Sequence, residues 1–356
     1  MEIPVSYRPG FDNLAQRMLA SYMGTLPLFH PAPGGPADEE SQRQFYNFVA
    51  GAYLHAWREP AALGLPEEPD DCFGEWELNN RKPALSRSMQ AIRKTIDGFF
   101  GFMSDLGQVA ELHPEGFFLP RGALRLGGKH SAALAAVGVT HRKTGEGTVF
   151  AAPGYPAMFP AWKMLCAMVR ETGTDPVLVF SRCLFDREYD YAAAVYRRLC
   201  DQPELFDALT AYLLAQGYTR EDMPGQPGLM LRWRRSLNRK DEQTLSVWFD
   251  HRKLHPLKFE MKVPRFRELL YGFDRMEERL QALSLLRTKR CDGCGYCIQT
   301  NREKRQLLTF PVQHGGQQHN LCPLFPWLVW NGLDGEALQD MTALLDFAQS
   351  ELAERQ

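Results

Sequence analysis

No run of about eighteen apolar residues, the length that would suggest a bilayer-crossing helix, occurs in these 356 residues. The opening stretch, Met1 to Arg8, lacks the basic-then-apolar layout of a secretory signal. A soluble cytoplasmic chain is therefore expected. Net charge is scarce as well. The formal balance is −2, which argues against whole-surface attraction to DNA or anionic lipid. Low-complexity tracts, a dinucleotide fingerprint, a second cluster motif and a Cys-x3-Cys-x2-Cys radical motif are all missing. Gly127-Gly128-Lys129-His130-Ser131 has the composition of a phosphate loop but not its G-x4-G-K-[ST] spacing, so it is set aside. Gly145-Glu-Gly147 reads as a hairpin turn. No complete catalytic constellation remains, and no general acid or base is assigned. Glu75 and Glu77 flank Trp76, but nothing local shows that their carboxylates converge.

What is present is an ordinary globular composition, 44% hydrophobic and 24% charged, on a chain long enough for two or three domains. We expect an α+β protein with three regions: a mainly helical stretch over 1–110, an α+β region over 111–288, and a cysteine-rich module over 289–356. In the first region, Phe45 to Trp57 is an apolar-rich helix, and the proline- and acid-rich Pro60–Asp71 stretch interrupts the pattern. Leu85, Met89, Ile92, Ile96, Phe99, Met103 and Leu106 then alternate spacings of four and three, laying one apolar stripe along a helix. Burial of that stripe in the protein's own core is favoured over a coiled-coil contact, and Gly107 is expected to cap the helix.

The middle region contains a short self-similarity. Residues 131–140 and 210–219 match without gaps at five of ten positions, each reading as a helix, a glycine and an extended segment. A duplicated helix–hairpin–helix unit over 131–170 and 210–275 is one interpretation of the match. Between the copies, Tyr189–Cys200 and Glu204–Gln216 read as helices and Pro176–Phe180 as a short buried strand. The clearest hairpin is predicted for Leu229–Trp233 returning through Leu245–Phe249. A final helix carries Leu338, Met341, Leu345, Ala348 and Leu352, with Asp334 as its N-cap.

Chemistry concentrates near the end of the chain. Four of the eight cysteines fall in Cys291-Asp-Gly-Cys294-Gly-Tyr-Cys297 and in His319-Asn-Leu-Cys322-Pro323. Thiolates at this spacing suit a metal, because a glycine-rich turn lets successive sulfurs converge on one point. Cys291, Cys294, Cys297 and Cys322 are therefore the candidate ligands, with His319 an alternative to Cys297. The remaining cysteines (Cys72, Cys166, Cys183, Cys200) are scattered, as in a reduced protein rather than a disulfide scaffold.

Cys291-x2-Cys294-Gly-Tyr resembles the metal-binding knuckle of rubredoxins and zinc ribbons, which implies zinc held by four ligands in a closed structural site. The Cys-x2-Cys-x2-Cys run with a distant Cys322-Pro323 is also similar to single-cluster ferredoxins, which implies one [4Fe–4S] cluster. Cys291-x2-Cys294-x2-Cys297-Ile-Gln-Thr300 with Leu321-Cys322-Pro-Leu-Phe-Pro326 further resembles the C-terminal region of a family of bacterial proteins with no assigned activity. These resemblances cover under a tenth of the chain. Zinc is ranked ahead of iron–sulfur, and a non-catalytic binding or regulatory protein ahead of a redox protein.

One stretch stands out against the near-neutral average. Residues 229–267 hold eleven Lys or Arg against four acids, with Trp233 and Trp248 among Arg232, Arg234, Arg235, Arg239 and Lys240. Phosphate neutralisation and base stacking make this basic hairpin a nucleic-acid candidate. A solvated sheet face with inward tryptophans is the favoured alternative. Leu231 and Trp233 are expected to face a core, leaving Arg232 and Arg234 on the wetter side. His251 and His255 bracket Asp250 at helix-ligand spacing, but the adjacent Pro256 opposes a helix, so a surface pair is expected.

Overall fold

A computed structural model describes residues 14–66, 78–225, 228–236, 242–249, 257–263, 270–291, 309–322, 324 and 327–353. The chain is an α+β protein that divides into two compact units. One comprises 1–195 with 224–229, and the other 196–223 with 230–356. Their boundary falls inside the 111–288 stretch. No helix among the described residues is long and apolar enough to cross a membrane.

The first unit opens with helices α1 (Leu14–Gly24), α2 (Glu39–Arg58) and α3 (Leu78–Val109). Asp38 starts α2 by accepting from the Ser41 amide at 2.7 Å, so an otherwise orphaned first-turn N–H is satisfied. From Met89 onward the α3 stripe packs into this unit's own core: Ile92, Met103 and Leu106 are each 0% exposed and Met89 and Phe99 partly buried, while the Leu85 side chain lies outside the described residues. Gly107, however, is not a cap. The helix runs on to Val109, and the Ala110 amide still bonds to Leu106 O at 2.8 Å. A Cβ at 107 would come within 2.5 Å of Cys166 Sγ and 2.7 Å of Trp162 Nε1. The glycine is there to let α5 (Phe159–Thr172) approach. Trp162 Nε1 donates to Met103 O at 2.8 Å, and Lys163 Nζ donates to Gly107 O and Ala110 O, closing the end of α3.

Strands β1 (Glu111–His113), β2 (Gly116–Pro120), β3 (Thr140–Lys143) and β4 (Gly147–Ala151) form an antiparallel sheet in the order β1-β2-β4-β3, with α4 (Gly128–Ala136) between β2 and β3. Gly145–Gly147 turns the β3–β4 hairpin, as expected. The strand expected at Pro176–Phe180 is instead α6 (Pro176–Arg182). Asp175 accepts from the Val177 amide at 2.8 Å, and proline takes the first turn, where its missing N–H costs nothing. A short apolar run carries no period of its own, so the cap decides.

After α7 (Tyr191–Leu199) and α8 (Pro203–Ala215), the second unit builds a five-stranded sheet. Its strands are β5 (Thr219–Gly225), β6 (Gly228–Ser236), β7 (Glu242–Phe249), β8 (Leu257–Lys262) and β11 (Trp327–Asn331), in the order β11-β8-β7-β6-β5. The hairpin predicted over 229–249 is β6–β7, with Leu231 opposite Val247 and Trp233 opposite Leu245. Strand alternation assigns the faces. Leu231, Val247 and Phe259 form one fully buried row with Trp330 beside them at 1% exposure. Phe206 of α8 meets Trp233 edge-on at 5.9 Å. The helices α9 (Glu278–Arg287) and α10 (Gly335–Ala353) complete this core, and Asp334 caps α10 by accepting from the Ala337 amide at 2.7 Å. A separate hairpin pairs β9 (Phe310–His314) with β10 (Gln317–Leu321).

The ten-residue self-similarity coincides with one capping motif used twice. The Val139 and Gly138 amides bond back to Leu134 O and Ala135 O, while Tyr218 and Gly217 bond to Leu213 O and Leu214 O. Gly138 and Gly217 take the left-handed conformation that closes it, at φ +87° and +79°. Beyond that motif the two regions part. The first continues through the two strands β3 and β4 into α5, whereas the second runs through the four strands β5 to β8.

Candidate metal centre

The helix α9 ends at Arg287, and the chain then extends to meet the end of β10. Arg290 and Leu321 form an isolated antiparallel bridge. Its two hydrogen bonds run from the Cys291 amide to Asn320 O and from the Cys322 amide to Lys289 O, each 2.9 Å. Cys291 is thus opposite Asn320, and Cys322 opposite Lys289. Side chains alternate along such a ladder, so Cys291 and Cys322 emerge on one face while Arg290 and Leu321 take the other. The two cysteines are diagonal neighbours, a relation that places Cα atoms about 7–8 Å apart, with the Cβ atoms somewhat nearer. Two cysteines separated by 30 residues of chain are brought together by backbone pairing alone.

The same alternation sorts the histidine. His319 is opposite Val312 and shares the face of Leu321, which is 0% exposed, whereas Asn320 shares the face of Cys322. A His319 ligand would have to cross from the other side of its own strand. The ladder thus keeps His319 off the face that Cys291 and Cys322 share. Cys294 and Cys297 lie outside the described residues, and so does Cys72. Among the described residues, no three His, Cys, Asp or Glu side chains are grouped to hold a metal.

The other described cysteines differ in kind. Cys166, Cys183 and Cys200 are buried, and burial is the largest influence on each thiol. It pushes Cys166 and Cys200 up to about 12 and Cys183 higher still, despite the opposing positive charges of Lys163 and Arg170 near Cys166. These are packing residues with almost no thiolate at neutral pH. Cys291 and Cys322 are half-buried at the sheet edge, where a ligand can be reached.

The basic hairpin has the predicted polarity. Leu231 and Trp233 are each 0% exposed, and Arg232 and Arg234 point to the opposite face. Register carries Lys258 and Lys262 onto that face together with Trp248 and Trp327, while Trp233 packs inside. Three of the four cations named on that face, all but Lys262, are already engaged. Arg234 pairs with Glu221 at 2.7 Å and Glu242 at 3.6 Å, Lys258 with Glu260 at 4.0 Å, and Arg232 Nε donates to Ser246 Oγ at 3.3 Å. Lys258 also covers the ring of Trp248 at 4.8 Å, occupying a surface on which a base would stack. Arg239, Lys240, Arg265, His251 and His255 lie outside the described residues.

Two pairs escaped the reading of the sequence. Ser131 Oγ is 3.2 Å from His141 Nε2, and His30 Nε2 is 3.3 Å from Asp186 Oδ2. Each supplies two of the three members of a catalytic triad. Among the described residues no carboxylate is bonded to His141 and no hydroxyl or thiol to the His30 ring, so neither pair completes a triad there. His30 and Asp186 are 156 residues apart, and Ser131 and His141 sit on α4 and β3, so no single-element spacing rule pairs either set. No protein-family model matches this chain, and no curated protein or solved structure matches it either.

Proposed function

We propose that the protein is a bacterial, cytoplasmic metal-binding protein whose Cys291, Cys294, Cys297 and Cys322 hold one zinc ion in a structural site, and that it acts by binding or regulation rather than catalysis. The observation that carries the reading is the ladder that sets Cys291 and Cys322 on one face. Zinc completes itself with four thiolates at about 2.3 Å, and a shared strand face is a rigid base for two of them. Half-burial beside Lys289, Arg290 and Asn320 fits a small structural ion better than a cluster that benefits from shielding against water. The metal would fasten the end of β10 to the segment following α9, because the free energy of binding becomes free energy of folding.

The experiment is elemental analysis of protein purified without oxygen, with its visible spectrum. One zinc per chain and a colourless solution is the expected result. Brown protein with iron and acid-labile sulfide would replace this reading with the redox alternative, one [4Fe–4S] cluster on the same cysteines. Protein lacking both metals, with all four thiols titratable, would remove the site.

A further inference from the structure

A pocket of about 370 Å³ opens in the second unit between α9, β11 and the start of α10. That size falls within the range of small-molecule sites. The α9 wall comes from Arg279, Leu283 and Arg287, spaced i, i+4 and i+8 on one helical face, with Ala282 and Leu286 beside them. Trp330 contributes from β11.

The two arginines are in different electrostatic states. Arg279 Nη2 lies 2.7 Å from Oδ1 of Asp340, a carboxylate only 5% exposed, so each charge meets its opposite. Arg287 has no carboxylate partner among the described residues. Its Nη1 donates to Val329 O at 3.3 Å, and its guanidinium lies 5.6 Å over the Trp330 ring. Its Nε is buried without an acceptor, as is Nε1 of Trp330. A half-buried cation with spare donors and no counter-charge is costly to keep in place. Cation–π contact with Trp330 offsets part of that cost.

We propose that this pocket binds a small monocarboxylate with a compact apolar body, its carboxylate held by Arg287 and its body against Leu283 and Leu286. Guanidinium and carboxylate match in shape and charge, which is why this pair recurs in carboxylate recognition. Leu286, 74% exposed, gains cover when the site fills. The limit to one negative charge follows from the rim. Asp340 is neutralised by Arg279, but Asp334, which accepts from the neutral Ala337 amide and keeps its charge, and Glu336, exposed at the pocket edge, both repel a dianion. This inference is independent of the metal.

Isothermal titration of the protein with benzoate, hexanoate and inorganic phosphate tests it, at about pH 8.5 so that the phosphate is almost wholly the dianion. Benzoate or hexanoate should saturate one site at millimolar concentration, and phosphate should give no saturable heat. Arg287→Gln should weaken binding about tenfold or more, the loss of a charged hydrogen-bonded partner. Ala282→Trp, at an exposed position, should fill the mouth and block binding while Arg287 stays in place. Loss in both variants with circular dichroism unchanged supports the site. Absence of carboxylate binding to the parent protein, or retained binding in either variant, overturns it. Saturation by phosphate at the strength of benzoate overturns the single-charge preference and with it the proposal.

Discussion

The two units solve the problem of polar groups in a core differently. Apart from Tyr218 and Gln349, whose side chains bond to each other, ten buried side-chain nitrogen and oxygen atoms lack a hydrogen bond among the described residues, and eight of them belong to the second unit. The first unit is organised around fully buried aromatics, among them Phe45, Phe48, Phe117, Phe159 and Trp162, and the indole N–H of Trp162 has its acceptor in Met103 O. The second unit buries Gln243 at 0% exposure with neither amide atom bonded, and likewise buries partnerless donors on Trp233 and Trp330. A native interior rarely leaves such groups unmet without water, an ion or a ligand to meet them. The first unit leaves only Trp57 Nε1 and Arg182 Nε in this state among the described residues. The second carries the larger share of such atoms, and the half-buried Cys291 and Cys322 lie on it as well.

The largest effect expected from this contrast is that of the cysteine ladder. Replacing Cys291 and Cys322 together by serine should destabilise the second unit by several kcal/mol, since structural zinc contributes about 10–16 kcal/mol in the smallest metal-dependent folds. Hydrogen exchange locates the damage. Protection should fall over 278–291 and 309–331 and persist over 92–106 in α3. Equal loss of protection in both stretches would mean that the contrast between the units does not extend to their stability.

A smaller effect should come from Gly107→Ala, which probes the tightness of the first unit. The added Cβ would meet Cys166 Sγ at 2.5 Å and Trp162 Nε1 at 2.7 Å, inside any tolerated contact. Overpacking of this kind costs about 1–3 kcal/mol, seen as a lower denaturation midpoint with an unchanged slope. Alanine elsewhere in a helix stabilises relative to glycine, so even the sign separates close approach from a mere weak point in α3.

How much of this was legible in the sequence depended on how local each signal is. The stripe of α3, the Asp334 cap and the Leu231/Trp233 alternation have periods of a few residues, and all three hold. Pro176–Phe180 misled because five apolar residues suit a strand or a helix, although the capping Asp175 beside it was a usable signal. The role of Gly107 depends on the approach of α5, more than fifty residues away, and no helix-end rule contains that. The placement of β11 beside β8 is equally non-local. The face of His319 was also legible in the sequence. Once His319-Asn-Leu-Cys322 is an extended segment, an odd separation puts the histidine and the cysteine on opposite faces. Likewise, Arg279, Leu283 and Arg287 share a helical face by spacing alone, but only the fold shows that Asp340 answers one arginine and not the other.

Gln243→Leu sharpens the comparison within the second unit, with a magnitude of about 1 kcal/mol either way. Gln243 is opposite Arg235, and Arg235 Nη1 is buried without a partner as well. If the glutamine amide is truly unmet, leucine of similar volume removes a desolvation penalty and the thermal midpoint rises. If internal water bridges Gln243 and Arg235, the substitution leaves the arginine unmet and the midpoint falls. We expect the rise, because both amide atoms lack bonds and the side chain is fully enclosed.

The smallest effect, and the one with the clearest sign, belongs to Glu260 on the polar face of the large sheet. Burial raises its carboxyl above the ordinary glutamate value, and the nearby charges of Lys258 and then Arg232 oppose this without cancelling it. The folded state therefore holds this proton more tightly than the unfolded chain does. Stability contributed by the protonated form is complete below the unfolded value of about 4.3 and is lost as pH rises through the raised folded value. Glu260→Gln removes that loss while keeping the shape of the side chain. The variant should gain thermal stability relative to the parent as pH rises from about 4 towards neutrality, and the gain should level off once both forms of the parent are ionised. A constant offset from the broken contact with Lys258, 4.0 Å away, will be superimposed and carries no pH dependence of its own below the lysine range. Midpoints for both proteins across that interval decide the matter. A variant that instead loses ground with rising pH would show that attraction to Lys258 and Arg232 outweighs burial. The face would then be electrostatically stabilised, rather than bearing the cost of a half-desolvated carboxylate.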